Sequence, residues 1–404
     1  MSTVRLPAPA PGLPRIAARP TPAAAPVEPS AASQVPAALD GSATGIARDA
    51  FVNAGDARTA PTGEDTTTPA RGSGRHLESL LGRRAAPASS LETSEAMQRL
   101  SAGDQQRVRD LEGALEVGGR AQLGALLERT LADGTSALLS LDSAGRSLLD
   151  HLSELATMEL APELAREGIQ RADLLESLLQ ECATPGAINQ SNRATCTVTS
   201  MQYMLSLQEP SEYARLVRGL LTPEGSVSTR GGGNLVRVAD SIAPDSAVDR
   251  SATERLFQAA MMELANGDAT YSNVTDENVT SFFGLKLGVL GLNGDQQERG
   301  LAALFGAEHP RIFASDAADA LASGTTLPMF ADLSFGGGAH AVVVEKIEDG
   351  RVFIRNPWGA TTDPVGSTYG DPERVLEDAD ARVESMTLKA FLGTVRGLHP
   401  AAAA

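Results

Sequence analysis

The sequence is short of cysteine, aromatic residues and long apolar runs, and each shortage excludes a class of protein. Two cysteines in 404 residues cannot build a disulfide framework, so they fit a reducing compartment or at most a single bridge. No apolar run reaches the length of about 18 residues that a membrane-spanning helix needs, so we expect no membrane partner. Aromatic residues make up 4% of the chain, which favours a helix-rich protein over an all-β protein packed around aromatic side chains.

Positive charge is scarce as well. The chain has 34 Lys and Arg residues against 51 Asp and Glu, a formal net charge of -17, and its basic residues form no dense run. Binding to phosphates needs clustered positive charge, so we expect no nucleic acid partner. We also expect no metal, because metal-ligand spacing is absent from the histidines His76, His151, His309 and His399.

Residues 1–90 form the first of three predicted regions. They are rich in Pro, Ala, Ser and Thr and hold few large apolar side chains, so we expect a disordered leader. Its beginning has no compact apolar segment, which argues against an ordinary secretory signal. The default expectation is a cytoplasmic protein, and the alternative is export by a specialised route that needs no such signal.

Residues 91–185 have the apolar spacing of helices. Leu123, Leu126 and Leu127 share one helix face, and Ser101 with Asp104 resembles a capping box at a helix start. We interpret this helical region either as a regulatory or targeting module or as the first lobe of the domain that follows, and the spacing is compatible with both.

Residues 186–404 are predicted to form an α+β domain. Helical segments such as CTVTSMQYMLSLQ come first, and β-branched runs such as TTLPMFADLSF, HAVVVEKI and RVFIRNPWG follow. GSVSTRGGGNLVRV indicates two short strands around a glycine run. The last piece, VESMTLKAFLGTV, is interpreted as a strand that enters a terminal helix.

One predicted hairpin brings a histidine and an asparagine together. A three-residue loop, 348–350, pairs Ile347 with Arg351 and puts Asn356 on the same face as His340. A two-residue Asp-Gly turn would instead put them on opposite faces. An amide oxygen that accepts from one ring nitrogen fixes the tautomer and leaves the other nitrogen to act as a base.

Cys196 is predicted to begin a helix, where the helix dipole favours the thiolate. The amide of Gln190, six residues earlier, can reach back over the cysteine and form an oxyanion hole with the Cys196 backbone N–H. Taken alone, a free cysteine is more often a buried structural thiol, and this is our interpretation of Cys182. A bridge between Cys182 and Cys196 is an alternative.

Taken together, these residues resemble the papain-like cysteine peptidases. In chain order, the motifs are Gln-x5-Cys, a distant His in HAVVV and an Asn in NPWG. The RNPWG segment is similar to that of calpain-type members. The hairpin that contains HAVVV and RNPWG resembles that of the bacteriocin-processing members. The resemblance covers about residues 186–395. It implies a papain-like fold, in which a helical lobe with the nucleophile helix packs on an antiparallel sheet.

The resemblance also implies roles for individual residues. Cys196 would be the nucleophile, His340 the general base and acid, and Gln190 the oxyanion donor. Asn356 would orient His340, and Trp358 would shield their hydrogen bond from water. Gly337 and Gly338, together with Trp358, would line the place where substrate backbone approaches.

The implied reaction is hydrolysis of a peptide or isopeptide amide in a protein or peptide substrate, through a thioester and with no cofactor. The sequence departs from the family pattern at Thr195 and Thr197, which flank the cysteine, and at Ala339 before the histidine. These departures leave two alternatives open. One is a papain-like glutamine deamidase or acyltransferase that acts as a secreted effector, and the other is a catalytically inactive binding module.

Overall fold

A computed structural model describes residues 91, 94–243, 250–267, 269–282, 285–306, 309–322, 327–335, 338–358 and 374–400. These residues all lie in the same compact unit, Ala43–Ala404. The predicted leader, 1–90, and Gly337 lie outside the described residues.

The predicted helical region forms helices. Within the unbroken stretch 94–243 they are α1 (Glu95–Arg99), α2 (Ala102–Ala114), α3 (Val117–Glu128), α4 (Leu148–Leu155), α5 (Pro162–Arg166) and α6 (Arg171–Ala183). The predicted start of α2 is confirmed, since the Ser101 side chain accepts a hydrogen bond from the Asp104 N–H. Pro185 and Gly186, which follow α6, form a short 3-10 turn.

Further helices follow the cysteine and alternate with strands. They are α7 (Cys196–Gln208), α8 (Pro210–Leu221), α9 (Ala252–Asn266), α10 (Gly294–Phe305), α11 (Ala317–Ala322) and α12 (Leu388–Thr394). The capping box of Ser251 and Glu254 at the start of α9 is present. Among the described helices, none has the length and apolarity needed to cross a membrane.

Two short strands, β1 (Ser226–Ser228) and β2 (Asn234–Val236), pair around the glycine run, as predicted. A second small sheet contains β3 (Thr270–Ser272), β4 (Glu277–Phe282) and β5 (Leu285–Val289). The large sheet is antiparallel, in the order β10-β11-β9-β8-β7-β12-β6. Its strands are β6 (Ile312–Phe313), β7 (Met329–Phe335), β8 (Gly338–Glu348), β9 (Arg351–Arg355), β10 (Val375–Asp378), β11 (Val383–Thr387) and β12 (Val395–His399). The described residues therefore form an α+β structure in which helices precede an antiparallel sheet.

The predicted three-residue hairpin loop is wrong. Asp349 and Gly350, with φ of 50° and 73°, form a two-residue turn of the kind that matches strand twist. That turn alone would separate His340 and Asn356 onto opposite faces. A bulge at Glu345 inserts one extra residue into β8 and restores the alternation, so that Val343 lies opposite Arg355.

Helix α7 lies between the helical region and the sheet. Buried apolar side chains from α1 to α6, from α7 to α10 and from one face of β7 and β8 form one hydrophobic cluster. The opposite face of the sheet packs a second cluster against α12, which includes Val342, Ile354, Met386 and Phe391. Because complete burial of each such side chain contributes about 1.5–3 kcal/mol, this packing fixes α7 against the sheet.

Candidate active site

Cys196 is the first residue of α7, as predicted, and its side chain is 6% exposed. The N–H groups of Thr197 and Ala341 and the Thr197 hydroxyl face the thiol and favour its ionised form. Burial opposes them, with a smaller repulsion from Asp332, and raises the pKa of the Cys196 thiol to about 11. The thiol is therefore neutral in the structure, with donors in place to stabilise a thiolate.

One face of α7 lies along strand β8. The Ser200 hydroxyl donates to the Ala341 carbonyl at 3.2 Å, and the Tyr203 hydroxyl donates to the Glu345 carboxylate. Cys196, Ser200 and Tyr203 have the i, i+4, i+7 spacing of a single helix face. These contacts place the thiol beside Ala341, the residue that follows His340.

His340 is held by Asn356. The imidazole Nε2 lies 3.0 Å from the Asn356 Oδ1, which also accepts from the Trp358 N–H at 3.2 Å. The Asn356 Nδ2 donates to Glu384 Oε1 at 3.2 Å, so the orientation of the amide is determined at both ends. Since Oδ1 only accepts, Nε2 carries the hydrogen, and Nδ1 is the nitrogen with a lone pair.

Trp358 covers this hydrogen bond. Its ring stacks on the imidazole with a centroid distance of 4.5 Å and an interplanar angle of 27°. His340 is 1% exposed, and burial lowers its pKa to about 4 although the bond to Asn356 acts in the opposite direction. The imidazole is therefore neutral and able to accept a proton.

Sequence reasoning missed a charged cluster behind Asn356. Glu384 on β11 is fully buried and pairs with Arg382 at 2.7 Å and with Arg374 at 3.2 Å. Glu384 has the same strand parity as the buried Met386. A glutamate at an inward position of a strand was the signal that could have identified this cluster.

Gln190 lies in the loop before α7, and this loop contacts the end of β9. Its backbone N–H donates to the Pro357 carbonyl at 2.8 Å. Its side-chain nitrogen donates to the Arg193 carbonyl, and its Oε1 is buried with no hydrogen-bond partner among the described residues. Because an amide nitrogen carries two hydrogens, the bond to Arg193 leaves a second donor.

Arg355 also connects the loop to β9, and the sequence analysis did not identify it. Its guanidinium is fully buried and donates to the carbonyls of Asn356 at 2.8 Å, Gly186 at 3.0 Å and Ile188. Burial lowers the pKa of Arg355 to about 10. One side chain thus ties the loop before Cys196 to the end of β9, directly before Asn356.

The other predicted positions are placed as follows. Gly338 begins β8 and is half-buried, whereas Gly337 lies outside the described residues. Cys182 is completely buried in α6, and burial raises the pKa of its thiol. Both cysteines are free, so the alternative bridge between Cys182 and Cys196 is not formed.

The chain matches no protein-family model and no curated protein. In the part of the chain that the structure describes, no group of three or more His, Cys, Asp or Glu side chains is arranged to hold a metal ion.

Proposed function

We propose that this protein is a cysteine peptidase of papain-like fold that hydrolyses peptide or isopeptide amides in a protein or peptide substrate. The observation that carries the proposal is the buried His340–Asn356 hydrogen bond, together with the N–H of Ala341, the residue after His340, which faces the Cys196 thiol at the start of α7. Four features support it together: a nucleophile, a base, a residue that orients the base and a donor for the oxyanion.

The reaction has two halves. In the first, the Cys196 sulfur attacks the amide carbon and forms a C–S bond, while His340 takes the thiol proton on Nδ1 and then gives it to the leaving amine as the C–N bond breaks. In the second, His340 removes a proton from water, whose oxygen attacks the thioester. The C–S bond breaks, His340 returns its proton to the sulfur, and the product leaves as a carboxylic acid that ionises in water.

The pKa directions favour proton transfer during attack over a standing ion pair. Burial raises the pKa of Cys196 to about 11 and lowers the pKa of His340 to about 4, so the neutral pair is the resting form. The N–H groups of Thr197 and Ala341 then stabilise the sulfur as negative charge develops on it. Thr197, one of the two threonines that depart from the family pattern, thus has a role in the proposed mechanism.

The oxyanion of the tetrahedral intermediate would be bound by two donors. The first is the Cys196 N–H, because the first N–H groups of a helix have no intrahelical acceptor. The second is the remaining N–H of the Gln190 side chain. Removing one such donor commonly lowers the rate by about 100- to 1,000-fold.

The papain-like fold is part of the same proposal. The nucleophile helix α7 packs against an antiparallel sheet, and adjacent strands β8 and β9 bring His340 and Asn356 together. Helices α1–α6 precede this arrangement, and their apolar side chains belong to the same core as α7.

The test is covalent labelling with a thiol-directed acyl-type probe under reducing conditions, followed by mass spectrometry of the labelled peptide. We expect labelling to be lost in Cys196→Ala, strongly slowed in His340→Ala and retained in the matched control Cys182→Ala. Incubation with a peptide library should then yield products cut at amide bonds. Absence of labelling in the wild type would favour a binding module, and conversion of Gln to Glu without chain cleavage would favour a deamidase.

A further inference from the structure

A buried chain of hydrogen bonds lies behind the nucleophile and is not used by the mechanism above. It starts at Gln258 on α9, whose Nε2 donates to the Asn189 carbonyl at 2.9 Å and whose Oε1 accepts from the Thr195 hydroxyl at 3.0 Å. Asn189 and Thr195 immediately precede Gln190 and Cys196. Gln258 therefore holds both ends of the loop that carries the oxyanion donor and the nucleophile.

Helix α9 binds Asn189 a second time. The Asn189 backbone N–H donates to Glu254 Oε1 at 2.8 Å. Glu254 and Gln258 are one helical turn apart, so the N–H and the C=O of Asn189 both bind the same face of α9. The position of the residue before Gln190 is thus determined by side chains of that helix.

The chain of hydrogen bonds continues from Gln258 away from Cys196 and ends at Glu181. Gln258 Nε2 also donates to Gln202 Oε1 at 3.0 Å, Gln202 Nε2 donates to the Tyr213 hydroxyl at 2.7 Å, and that hydroxyl donates to Glu181 Oε2 at 2.5 Å. All four side chains are buried. Glu181 belongs to α6, which precedes the segment that resembles cysteine peptidases.

The groups at the two ends of this hydrogen-bond chain fix the direction in which its hydrogen bonds donate. An amide or a hydroxyl in the middle can point either way. Burial raises the pKa of the Glu181 carboxyl, but three hydroxyls, those of Tyr213, Ser251 and Thr253, donate to it, so it is the acceptor at this end. At the other end, Arg250 Nη1 donates to Gln258 Oε1 at 3.1 Å, and a guanidinium only donates. Reversal of the chain would therefore put the Gln258 nitrogen against donors. This arrangement keeps that nitrogen on Asn189 and the oxygen on Thr195.

We propose that Glu181 and Tyr213 are positioning residues for this site, and that they act through Gln202 and Gln258 on the loop that carries Gln190. The inference rests on the proposed function. It adds that α6, in the helical region, is required for the geometry of the oxyanion hole and is not a separable module.

The structure offers a matched pair of variants that tests this. Tyr213→Phe and Thr253→Val each remove one hydroxyl from the same carboxylate, since Thr253 Oγ1 donates to Glu181 Oε1 at 2.5 Å. Only Tyr213 lies in the chain that leads to the loop. Both variants are made in the full chain carrying Cys182→Ala, so that Cys196 is the one thiol.

Two reactions of that thiol are then compared. Acylation by para-nitrophenyl acetate passes through a tetrahedral oxyanion, whereas alkylation by iodoacetamide does not. We expect Tyr213→Phe to lower the ratio of the acylation rate to the alkylation rate by about tenfold or more, because Gln202 loses the buried hydrogen bond that orients it as the acceptor for Gln258. Thr253→Val should leave the ratio within about twofold of the wild-type ratio. Its melting temperature should nevertheless fall by about as much as that of Tyr213→Phe, since each variant loses one hydrogen bond to Glu181.

Equal ratios in the two variants would overturn the positioning role. If Tyr213→Phe does not fold, Glu181→Gln makes the same comparison, because it keeps the side-chain size and removes the fixed acceptor. A wild type that is acylated no faster than His340→Ala would overturn the proposed function and this inference with it. A wild type that is acylated rapidly, with an unchanged ratio in Tyr213→Phe, overturns the inference alone.

Discussion

Asn356→Asp is a small change with a large expected effect, because the amide joins two groups of different kind. Its oxygen accepts from His340 at 3.0 Å, and its nitrogen donates to the Glu384 carboxylate at 3.2 Å. An aspartate preserves the first contact and replaces the second with an oxygen facing an oxygen. The substitution therefore creates a buried pair of carboxylates.

The size of the expected destabilisation follows from the distance between the side chain at position 356 and Glu384. Two unit charges 3.2 Å apart repel by about 5 kcal/mol at an effective dielectric constant of about 20. A proton shared by the pair relieves this repulsion, so the folded variant holds a proton that the unfolded chain releases near pH 4. The stability of the variant is therefore retained at pH 4 and declines as the pH rises through the neutral range.

The assay is denaturant unfolding of wild type and variant between pH 4 and pH 9. We expect the difference in the free energy of unfolding to grow by several kcal/mol across this range. Adding Glu384→Gln exchanges the positions of amide and carboxylate, and should recover at least half of the loss through a coupling energy in the double-mutant cycle. A single variant as stable as the wild type at pH 8, or a double variant no better than the single one, would refute the geometry of this cluster.

Other predictions address the rest of the site. Arg355→Met leaves three buried or partly buried carbonyls without their donor and should lower the free energy of unfolding by about 3 kcal/mol or more. Arg351 is partly exposed, and Arg351→Met should lower it by about 1 kcal/mol in the same denaturant titration. Burial lowers the pKa of His340 and of His399 from 6.5 to about 4. The free energy of unfolding should therefore fall by about 3 kcal/mol for each histidine as the pH drops from 6.5 to 4. If unfolding curves show the same fall in His399→Gln, the lowered pKa of His399 is contradicted. Deletion of Glu345 removes the bulge and puts His340 and Asn356 on opposite faces, so it should slow probe labelling of Cys196 as strongly as His340→Ala does. Glu345→Ala keeps the bulge and should retain labelling; a deletion variant that labels normally would show that the bulge does not set the register.

Local signals predicted the parts of the fold that depend on neighbours in sequence. The capping residues Ser101 and Ser251 mark helix starts that the structure has, and α7 begins at Cys196. The pairing of His340 with Asn356 was predicted for a partly wrong reason. The loop has two residues, and the bulge at Glu345 compensates for the missing one. Bulges depend on strand twist and on contacts with neighbouring elements, which a single strand pattern does not encode.

Features that depend on distant segments were missed. Strand β12 joins the sheet between β7 and β6, although its short segment shows little alternation. Arg355 and Glu384 act by binding groups from other elements, and Gln258 binds a loop that is 69 residues away in sequence. Hydrophobic periodicity places such polar residues on a buried face, but it does not identify their partners.

The single core that joins the helical region to the sheet has a consequence during synthesis. Helices α1–α6 leave the ribosome first, but the contact of Ser200 with Ala341, which joins helix α7 to the strand that carries His340, spans 141 residues. At about 5–20 residues per second, a growing chain needs roughly 7–28 s to make that segment. A nascent chain therefore carries the Cys196 thiol for many seconds before His340 has been made, and the proposed activity can begin only after strand β8 has been synthesised.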